Sequence, residues 1–325
     1  MPANLTPQYY EAEEAFKKAK TKTEKIAALE EMLAVMPKHK GTDKLQAELK
    51  KKLSNLRKSD DNKGGNIQDD PYQVEKQGAG QVVIIGFPNA GKSSIVKSLT
   101  NAKIEVADYP YTTNLPEPGM MPYEDIKIQL VDTPPLTDEG IPGPFMNTIR
   151  NADLLLLTID AGSDDCLDHL RLLLEFLREK RLLRDKVISG VKAFTSDDCL
   201  VVATKMDMEG SRGRLNIIKE MMSSIPEIFT ISNKTGENLN KFKKILFNRL
   251  KIVRIYTKEP GKEADMEKPF VLKKGSTIVD LANNVHRDLA DNLQKARVWG
   301  SARFDGQPVA SDYQLEDGDI VELHT

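Results

Sequence analysis

The chain has 325 residues, more than one ordinary domain holds, so two or three compact units are expected. Lysine and arginine (47) nearly balance aspartate and glutamate (49), and the formal charge of −2 argues neither for nor against a polyanionic partner. Two cysteines without paired spacing exclude a disulfide framework or a thiolate metal site from this chain alone, four scattered histidines suggest no metal centre, and no apolar run is long enough to cross a bilayer.

The opening MPANLTPQYYEAEEAFKK lacks the apolar core of a signal peptide, so a cytoplasmic location is expected. Pro7 stands where a helix can begin. TEKIAALEEMLAVM places Ile26, Leu29, Leu33 and Met36 at three- and four-residue steps, and PKHKG breaks the pattern. TDKLQAELKKKLSNLRK resumes it, with Thr42 as N-cap and Leu45, Leu49, Leu53 and Leu56 on one face. A helical unit is predicted over 1–58. Between Lys38 and Lys58, eight Lys/Arg face two acids, which gives either a solvated helix surface or a basic arm for RNA or an acidic partner. Residues 59–80, rich in Gly, Asp and Asn and nearly free of apolar side chains, read as a linker.

From 81 to 254, apolar strand-like runs (QVVIIGF, IKIQLVDT, ADLLLLTID, CLVVATK, EIFTIS) alternate with helical patterns (SSIVKSL, CLDHLRLLLEFLREK, RLNIIKEMM, NLNKFKKILFNRL). Continuously apolar strands are buried on both faces, so the fold class is α/β with a mostly parallel sheet. Over 255–325 the pattern becomes strand, helix, then short strands around turns such as FDGQ and EDGD. Thr277 with Asp280 reads as a capping pair, and Ile278, Leu281, Val285 and Leu289 make one helix face. A small sheet gripping one helix is predicted.

GFPNAGKSS, Gly86–Ser94, fits G-x-x-x-x-G-K-[ST] between a strand and a helix. Backbone N–H groups turning inward around a polyphosphate require glycine or residues that tolerate unusual dihedrals, and the following helix adds its positive end. Lys92 neutralises phosphates and Ser93 offers a hydroxyl to Mg²⁺. A glycine-rich strand-to-helix turn is the plain alternative. Order and spacing argue against it. LVDTP puts Asp132 at a strand end as a Mg²⁺-associated carboxylate, Thr112 and Thr113 lie in a polar loop suited to a switch contact, and TKMD and ISNKTG end later strands. All fall at the carboxyl ends of strands, where open α/β sheets bind ligands. The Asp207 carboxylate can accept from N1–H and the 2-amino group of guanine, whereas adenine has neither donor; the stem of Lys205 can cover the base, and backbone near Asn233 can donate to O6. These features select GTP. The plain reading of Asp207 is a helix-start carboxylate.

GFPNAGKSS, VADYPYTTN, DTP, TKMD, ISNKTGENL and LKIVRIYTKEPG together resemble the Obg-type GTPases, most closely the developmentally regulated GTP-binding protein (DRG) family. The C-terminal segment resembles a TGS domain, a ubiquitin-like β-grasp module, and the N-terminal helices resemble that family's own. The resemblance implies a P-loop GTPase hydrolysing GTP with Mg²⁺ and associating with ribosomes or translation factors, with RNA contact through the TGS module. The implied nucleotide set is Gly86, Phe87, Pro88, Asn89, Ala90, Gly91, Lys92, Ser93, Ser94, Asp132, Thr204, Lys205, Asp207, Ser232, Asn233 and Lys234. Lys92 and Thr113 are the implied catalytic residues, and Ser93, Thr113 and Asp132 the Mg²⁺ set. Asn89 matches the asparagine of GTPases that K⁺ stimulates.

Three positions depart from the pattern. In DTPP, Pro135 replaces the glycine whose N–H meets the γ-phosphate, and proline has no N–H. Leu136 stands where Ras-like enzymes carry glutamine, a feature the wider group shares. Thr204 replaces the asparagine of N-K-x-D, implying a weaker brace to the phosphate loop. The stretch from Leu136 to Thr204 also leaves little room for the insertion domain of eukaryotic members, which points to a prokaryotic-type relative. The expected function is a slow GTPase acting on ribosomes or translation machinery, with an accessory protein as a further partner and no membrane. Its rivals are a GTP- or GDP-holding adaptor that tethers RNA or a protein with negligible hydrolysis, and a metabolic P-loop ATPase. In the C-terminal module, Lys295, Arg297 and Arg303 near Trp299 form either a local basic patch or ordinary surface around core filler.

Overall fold

The computed structural model describes residues 6–19, 22–37, 42–58, 74–100, 117–137, 140–143, 145–186, 193–222 and 225–324. Three helices come first: α1 (Pro7–Lys18), α2 (Lys22–Val35) and α3 (Asp43–Lys58). Thr6 caps α1, its side chain accepting from the Tyr9 N–H, with Pro7 in the first turn. Leu29, Leu33, Met36, Leu49 and Leu53 are buried together with Tyr9, Ala12 and Met32, so the periodicity read from the sequence is the interior of this unit. Thr42 Oγ1 donates to the Pro37 carbonyl at 2.6 Å. On its outer side the unit meets the next domain through Glu31, which lies 2.6 Å from Arg184 and 3.6 Å from Arg181.

The central domain is built from β1 (Gln81–Gly86), α4 (Lys92–Leu99), β2 (Glu117–Tyr123), β3 (Ile126–Asp132), α5 (Phe145–Asn151), β4 (Leu154–Asp160), α6 (Cys166–Glu179), β5 (Cys199–Thr204), α7 (Ser211–Met221), β6 (Ile228–Thr230) and α8 (Leu239–Arg249). Its six-stranded sheet runs β2-β3-β1-β4-β5-β6, parallel except for the antiparallel edge strand β2. The two-residue repeat of a strand divides the core. Val82 and Ile84 face α4 and α8 with Ile95, Leu99, Phe242 and Leu246, while Val83 and Ile85 face α5, α6 and α7 with Phe145, Ile149, Leu170, Leu173 and Ile218. The phosphate-loop end and the carboxyl ends of β3, β4 and β5 thus lie on one edge of a sheet covered on both faces.

Two short elements had no sequence signal. β2 contains Pro118, Gly119 and Pro122, residues that oppose a strand in isolation, but an edge strand with one bonded neighbour tolerates them. α5 has only seven residues and is fixed by burial of Phe145, Thr148 and Ile149.

The expected linker needs correction at its end. Residues 59–73 lie outside the described residues, but 74–80 pack on the domain. Gly78 bridges to Ile128, the Ala79 N–H donates to the Lys127 carbonyl at 2.8 Å, and the Gln129 N–H donates to the Gly80 carbonyl at 2.9 Å. The reason lies in two buried amides. Gln81 and Gln129 hydrogen-bond to each other at 2.9 Å and donate to the carbonyls of Val74 and Glu75 at 3.1 Å each, and buried amides demand such partners.

The last unit comprises β7 (Ile252–Lys258), β8 (Ala264–Lys273), α9 (Ile278–Val285), α10 (Arg287–Asp291), β9 (Lys295–Trp299), β10 (Gln307–Val309) and β11 (Ile320–His324). Its sheet runs β10-β9-β11-β7-β8, antiparallel apart from the β7–β11 pair. Ile278 and Leu281 of α9 are buried against Val253, Ile255, Leu272, Val298 and Val321. The Thr277–Asp280 capping box is present, with both hydrogen bonds made. The expected boundary between 254 and 255 cuts through β7, because Ile252, Val253 and Arg254 already pair with β8. No helix among the described residues is long and apolar enough to cross a membrane.

Candidate nucleotide site

The phosphate loop leaves β1 at Gly86, where a side chain is forbidden: a Cβ there would lie 2.5 Å from the Thr158 carbonyl oxygen on β4. Asn89 (φ 59°) and Gly91 (φ 89°) both adopt the left-handed conformation, the geometry by which successive N–H groups turn into one concavity. Phe87 and Pro88 are half-buried, Ala90 is buried and Asn89 is exposed. The loop passes straight into α4, so its concavity and the positive end of the helix coincide. Phe87 also stacks on His169 of α6, with ring centroids 4.2 Å apart.

Lys92 opens α4 and is buried, its ammonium donating to the Phe87 carbonyl at 3.2 Å. Burial pushes its pKa down, and the charge of Asp132 partly restores it. Ser93 Oγ donates to the carboxylate of Asp132 at the end of β3. One carboxylate beside one hydroxyl offers hard oxygen donors of the kind Mg²⁺ takes, with phosphate oxygens and water for the remainder. Among the described residues no group of three His, Cys, Asp or Glu side chains forms a protein-only cage, so a cation here would depend on its ligand for part of its shell. Thr112 and Thr113 lie outside the described residues.

Behind Asp132, the Thr133 hydroxyl donates to the Ile84 carbonyl at 2.8 Å. Pro135 is half-buried and Leu136 is buried in the core beside α5 and α6. The Leu136 N–H donates to the Gly86 carbonyl at 3.0 Å. Pro135 has no N–H, the next one is already used, and the Leu136 side chain points into apolar packing. The segment supplies neither a side chain to orient water nor a donor at those two positions.

At the other end of the site, Asp207 accepts the Ser232 hydroxyl at 2.6 Å, and the Lys234 ammonium lies 4.0 Å away. The Ser232 hydroxyl holds the carboxyl below the usual carboxylate range, with the charges of Lys234 and Lys205 acting in the same sense. Ser232 is itself buried and fixed, its Oγ accepting the Thr235 N–H at 3.2 Å and its carbonyl the Gly236 N–H at 3.0 Å. Asn233 Oδ1 is buried with no hydrogen-bond partner. Lys205 leaves β5 in the left-handed conformation (φ 55°) and its ammonium pairs with Asp160 at 2.6 Å. Gly91, Ser94, Lys205, Asp207, Asn233 and Lys234 converge on one open cavity of about 550 Å³, a size that suits a small-molecule ligand.

The tertiary structure therefore gathers the sequence-derived residues into two groups, Lys92, Ser93 and Asp132 at the phosphate loop and Lys205, Asp207, Asn233 and Lys234 along the cavity. Thr204 lies between them, fully buried, its hydroxyl donating to the Ala90 carbonyl. Sequence reasoning missed Met208, Lys97 and Ser98, which line the cavity, and Asp160. Only the last had a signal, an acidic residue ending the strand beside TKMD.

Residues 81–193 match the family model described as 50S ribosome-binding GTPase, and residues 253–325 match the TGS domain. A GTP-binding protein of Methanocaldococcus jannaschii, MJ1326, is 30% identical, the alignment covering 92% of each chain. Developmentally-regulated G-protein 1 of Arabidopsis thaliana is 27% identical over 92% of this chain and 90% of its own. Ribosome-interacting GTPase 1 of Saccharomyces cerevisiae is 27% identical over 93% of this chain and 99% of its own. These alignments run over 363 to 365 positions, more than the 325 residues available, so the relatives carry segments that this chain lacks. Identity at this level along nearly the full length, with both domain models matched in order, establishes that the chain belongs to the family of GTP-binding proteins in which a GTPase domain is followed by a TGS domain.

Proposed function

We propose that this protein binds GTP with Mg²⁺, hydrolyses it slowly and engages the ribosome in a nucleotide-dependent way, as a short member of the DRG group acting in the cytoplasm. The observation that carries the nucleotide assignment is Asp207, kept ionised by Ser232 and lining the cavity that the phosphate loop borders. An ionised carboxylate there accepts two hydrogen bonds from guanine and none from adenine. Ser93, Thr113 and Asp132 would hold Mg²⁺, which offsets the charge of the terminal phosphates, while Lys92 contributes the protein's own cation at the same place.

Slow turnover follows from Pro135 and Leu136, which supply no γ-phosphate donor and no water-orienting side chain. Asn89, exposed at the loop crest, is the candidate contact for a stimulating K⁺. The DRG assignment rests on VADYPYTTN and RIYTKEPG and is supported by the Arabidopsis relative; segments missing from this chain agree with the absence of an insertion domain.

A ribosomal partner is supported by the matched family description and by the yeast relative's name. Two surfaces suit RNA. Lys50, Lys51 and Lys52 are exposed on α3, and on β9 alternation puts Lys295 and Arg297 on the outer face beside Trp299. Lys258 lies 4.5 Å over the Trp299 ring, and Arg303 covers Phe304, which is 65% exposed.

Calorimetry with GTP, ATP and XTP tests the base assignment: GTP should bind best, and Asp207→Asn should shift preference toward XTP. Equal binding of ATP and GTP would restore the metabolic ATPase reading. Sedimentation with ribosomal subunits in GDP and in a non-hydrolysable GTP analogue tests the rest. Pro135 specifically favours one second reading, an adaptor that holds nucleotide without turnover. Single-turnover hydrolysis with ribosomes, no faster than in Lys92→Ala, together with co-sedimentation indifferent to nucleotide, would establish that adaptor.

A further inference from the structure

Asp160 ends β4 directly opposite Thr204 in the parallel register with β5. Both of its carboxylate oxygens are engaged: Oδ1 accepts the Gly162 N–H at 2.8 Å and Oδ2 accepts the Lys205 ammonium at 2.6 Å. The Asp160 side chain is 16% exposed and that of Lys205 41%, and of the two Lys205 lines the cavity while Asp160 holds it from behind. Lys205 begins the turn that carries Asp207, and its left-handed backbone is closed by the Met208 N–H donating to the Lys205 carbonyl at 2.9 Å. Lys205, Asp207 and Met208 line the same wall.

A long side chain that must be ordered when ligand arrives subtracts from affinity, and one already held in place does not. Lysine is the extreme case, with four rotatable bonds and a strongly hydrated head. We propose that Asp160 is a positioning residue for nucleotide binding: it anchors the Lys205 ammonium so that the lysine's hydrocarbon stem stands as a fixed wall beside the base. The inference rests on reading the cavity as the guanine pocket. The stem offers neither donor nor acceptor to the base edge, so its contribution is common to all purines. Discrimination belongs to Asp207, whose carboxylate is engaged by Ser232.

A purely structural role is available to Asp160, since its Gly162 contact also shapes the turn after β4. Asp160→Asn separates the two roles, because the amide oxygen still accepts the Gly162 N–H while the ionic hold on Lys205 is lost. The experiment is calorimetry of GDP, GTP and IDP with Mg²⁺ on the full chain, comparing wild type, Asp160→Asn, Lys205→Ala and the double variant. Asp160→Asn is expected to weaken all three ligands by the same factor, about 3- to 10-fold, with a melting temperature close to wild type. It should add little in the Lys205→Ala background, and the deficit should shrink at high ionic strength. Binding like wild type, a full additional loss in the Lys205→Ala background, or a loss confined to one purine would overturn the inference. A wild-type chain that binds none of the three nucleotides overturns the pocket assignment itself, and the role of Asp160 with it.

Discussion

Thr204 Oγ1 donates a 2.8 Å hydrogen bond to the carbonyl oxygen of Ala90, joining the end of β5 to the phosphate loop. The hydroxyl is also 3.2 Å from the Ile159 carbonyl, and the side chain fills the space that a Cβ on Gly91 would approach at 3.3 Å. A brace from β5 to the loop therefore exists without an asparagine amide. Thr204→Val keeps the shape and strands a buried carbonyl, which should cost about 1–3 kcal/mol of stability and weaken GDP binding. Urea unfolding with calorimetry checks it; an unaltered variant would mean the brace contributes nothing.

Lys92 is a buried cation whose pKa burial lowers, with the charge of Asp132 acting in the opposite sense. In the nucleotide-free protein a buried charge is a cost. Lys92→Met should therefore leave the apo melting temperature unchanged or raise it, while nucleotide affinity falls by about 100-fold or more for lost charge-assisted bonds. Differential scanning calorimetry with and without GDP reads both effects, and a variant that is simply less stable would contradict this account.

Pro135→Gly restores an N–H where the phosphate loop faces the end of β3. One added hydrogen bond to a charged phosphate is worth about 1.5 kcal/mol, roughly 10-fold. The expected outcome is a GTP-over-GDP preference shifted by that order and faster single-turnover hydrolysis. No change in either would locate the γ-phosphate contact elsewhere.

Arg254 clamps the second sheet to the first. Its guanidinium reaches Asp317 and Asp125 at 2.8 Å each, contacts Glu124, and lies 5.1 Å over the Phe247 ring, while the Tyr256 hydroxyl donates to Asp125. Burial opposes ionisation of Asp125 and Asp317, but hydrogen bonds outweigh it and hold both below the ordinary range, from Tyr256 and Arg254 at Asp125 and from Arg254 alone at Asp317. Burial and the Asp125 contact push Tyr256 up to about 12. Depressed carboxyls stabilise above their unfolded pKa and lose that contribution as pH falls through the folded one; a raised tyrosine stabilises below its unfolded pKa and loses it as pH rises through about 12. The stability difference between wild type and Arg254→Ala, about 1–3 kcal/mol with partly exposed partners, should be flat from about pH 5 to 10 and shrink as pH falls below that window and Asp125 and Asp317 are protonated. Urea unfolding across pH tests this; a difference that fades near neutrality would refute it.

Much of this was legible in the chain. Val82–Ile85 alternate between two cores, yet their continuous apolar run already signalled a strand covered on both faces. The phosphate loop and TKMD were legible because their chemistry is carried by contiguous residues. β2 was not, because its prolines are tolerated only at an edge that pairing with β3 creates. Nor was the docking of 74–80, which depends on Gln81 and Gln129 being buried side by side.

The sequence by itself determined the three-unit order, the α/β class and the ligand chemistry, since strand runs, helix faces and the glycine-lysine loop are local patterns whose physics needs no distant partner. Only the tertiary structure decided how distant groups meet: Thr204 under Ala90, Asp160 against Lys205, Leu136 withdrawn into the core, Arg254 between two sheets. Each of these joins residues far apart or packed from different elements. Hydrogen bonds and ion pairs act over a few ångströms of space rather than along the chain, so their partners are set by the fold and not by spacing in the sequence.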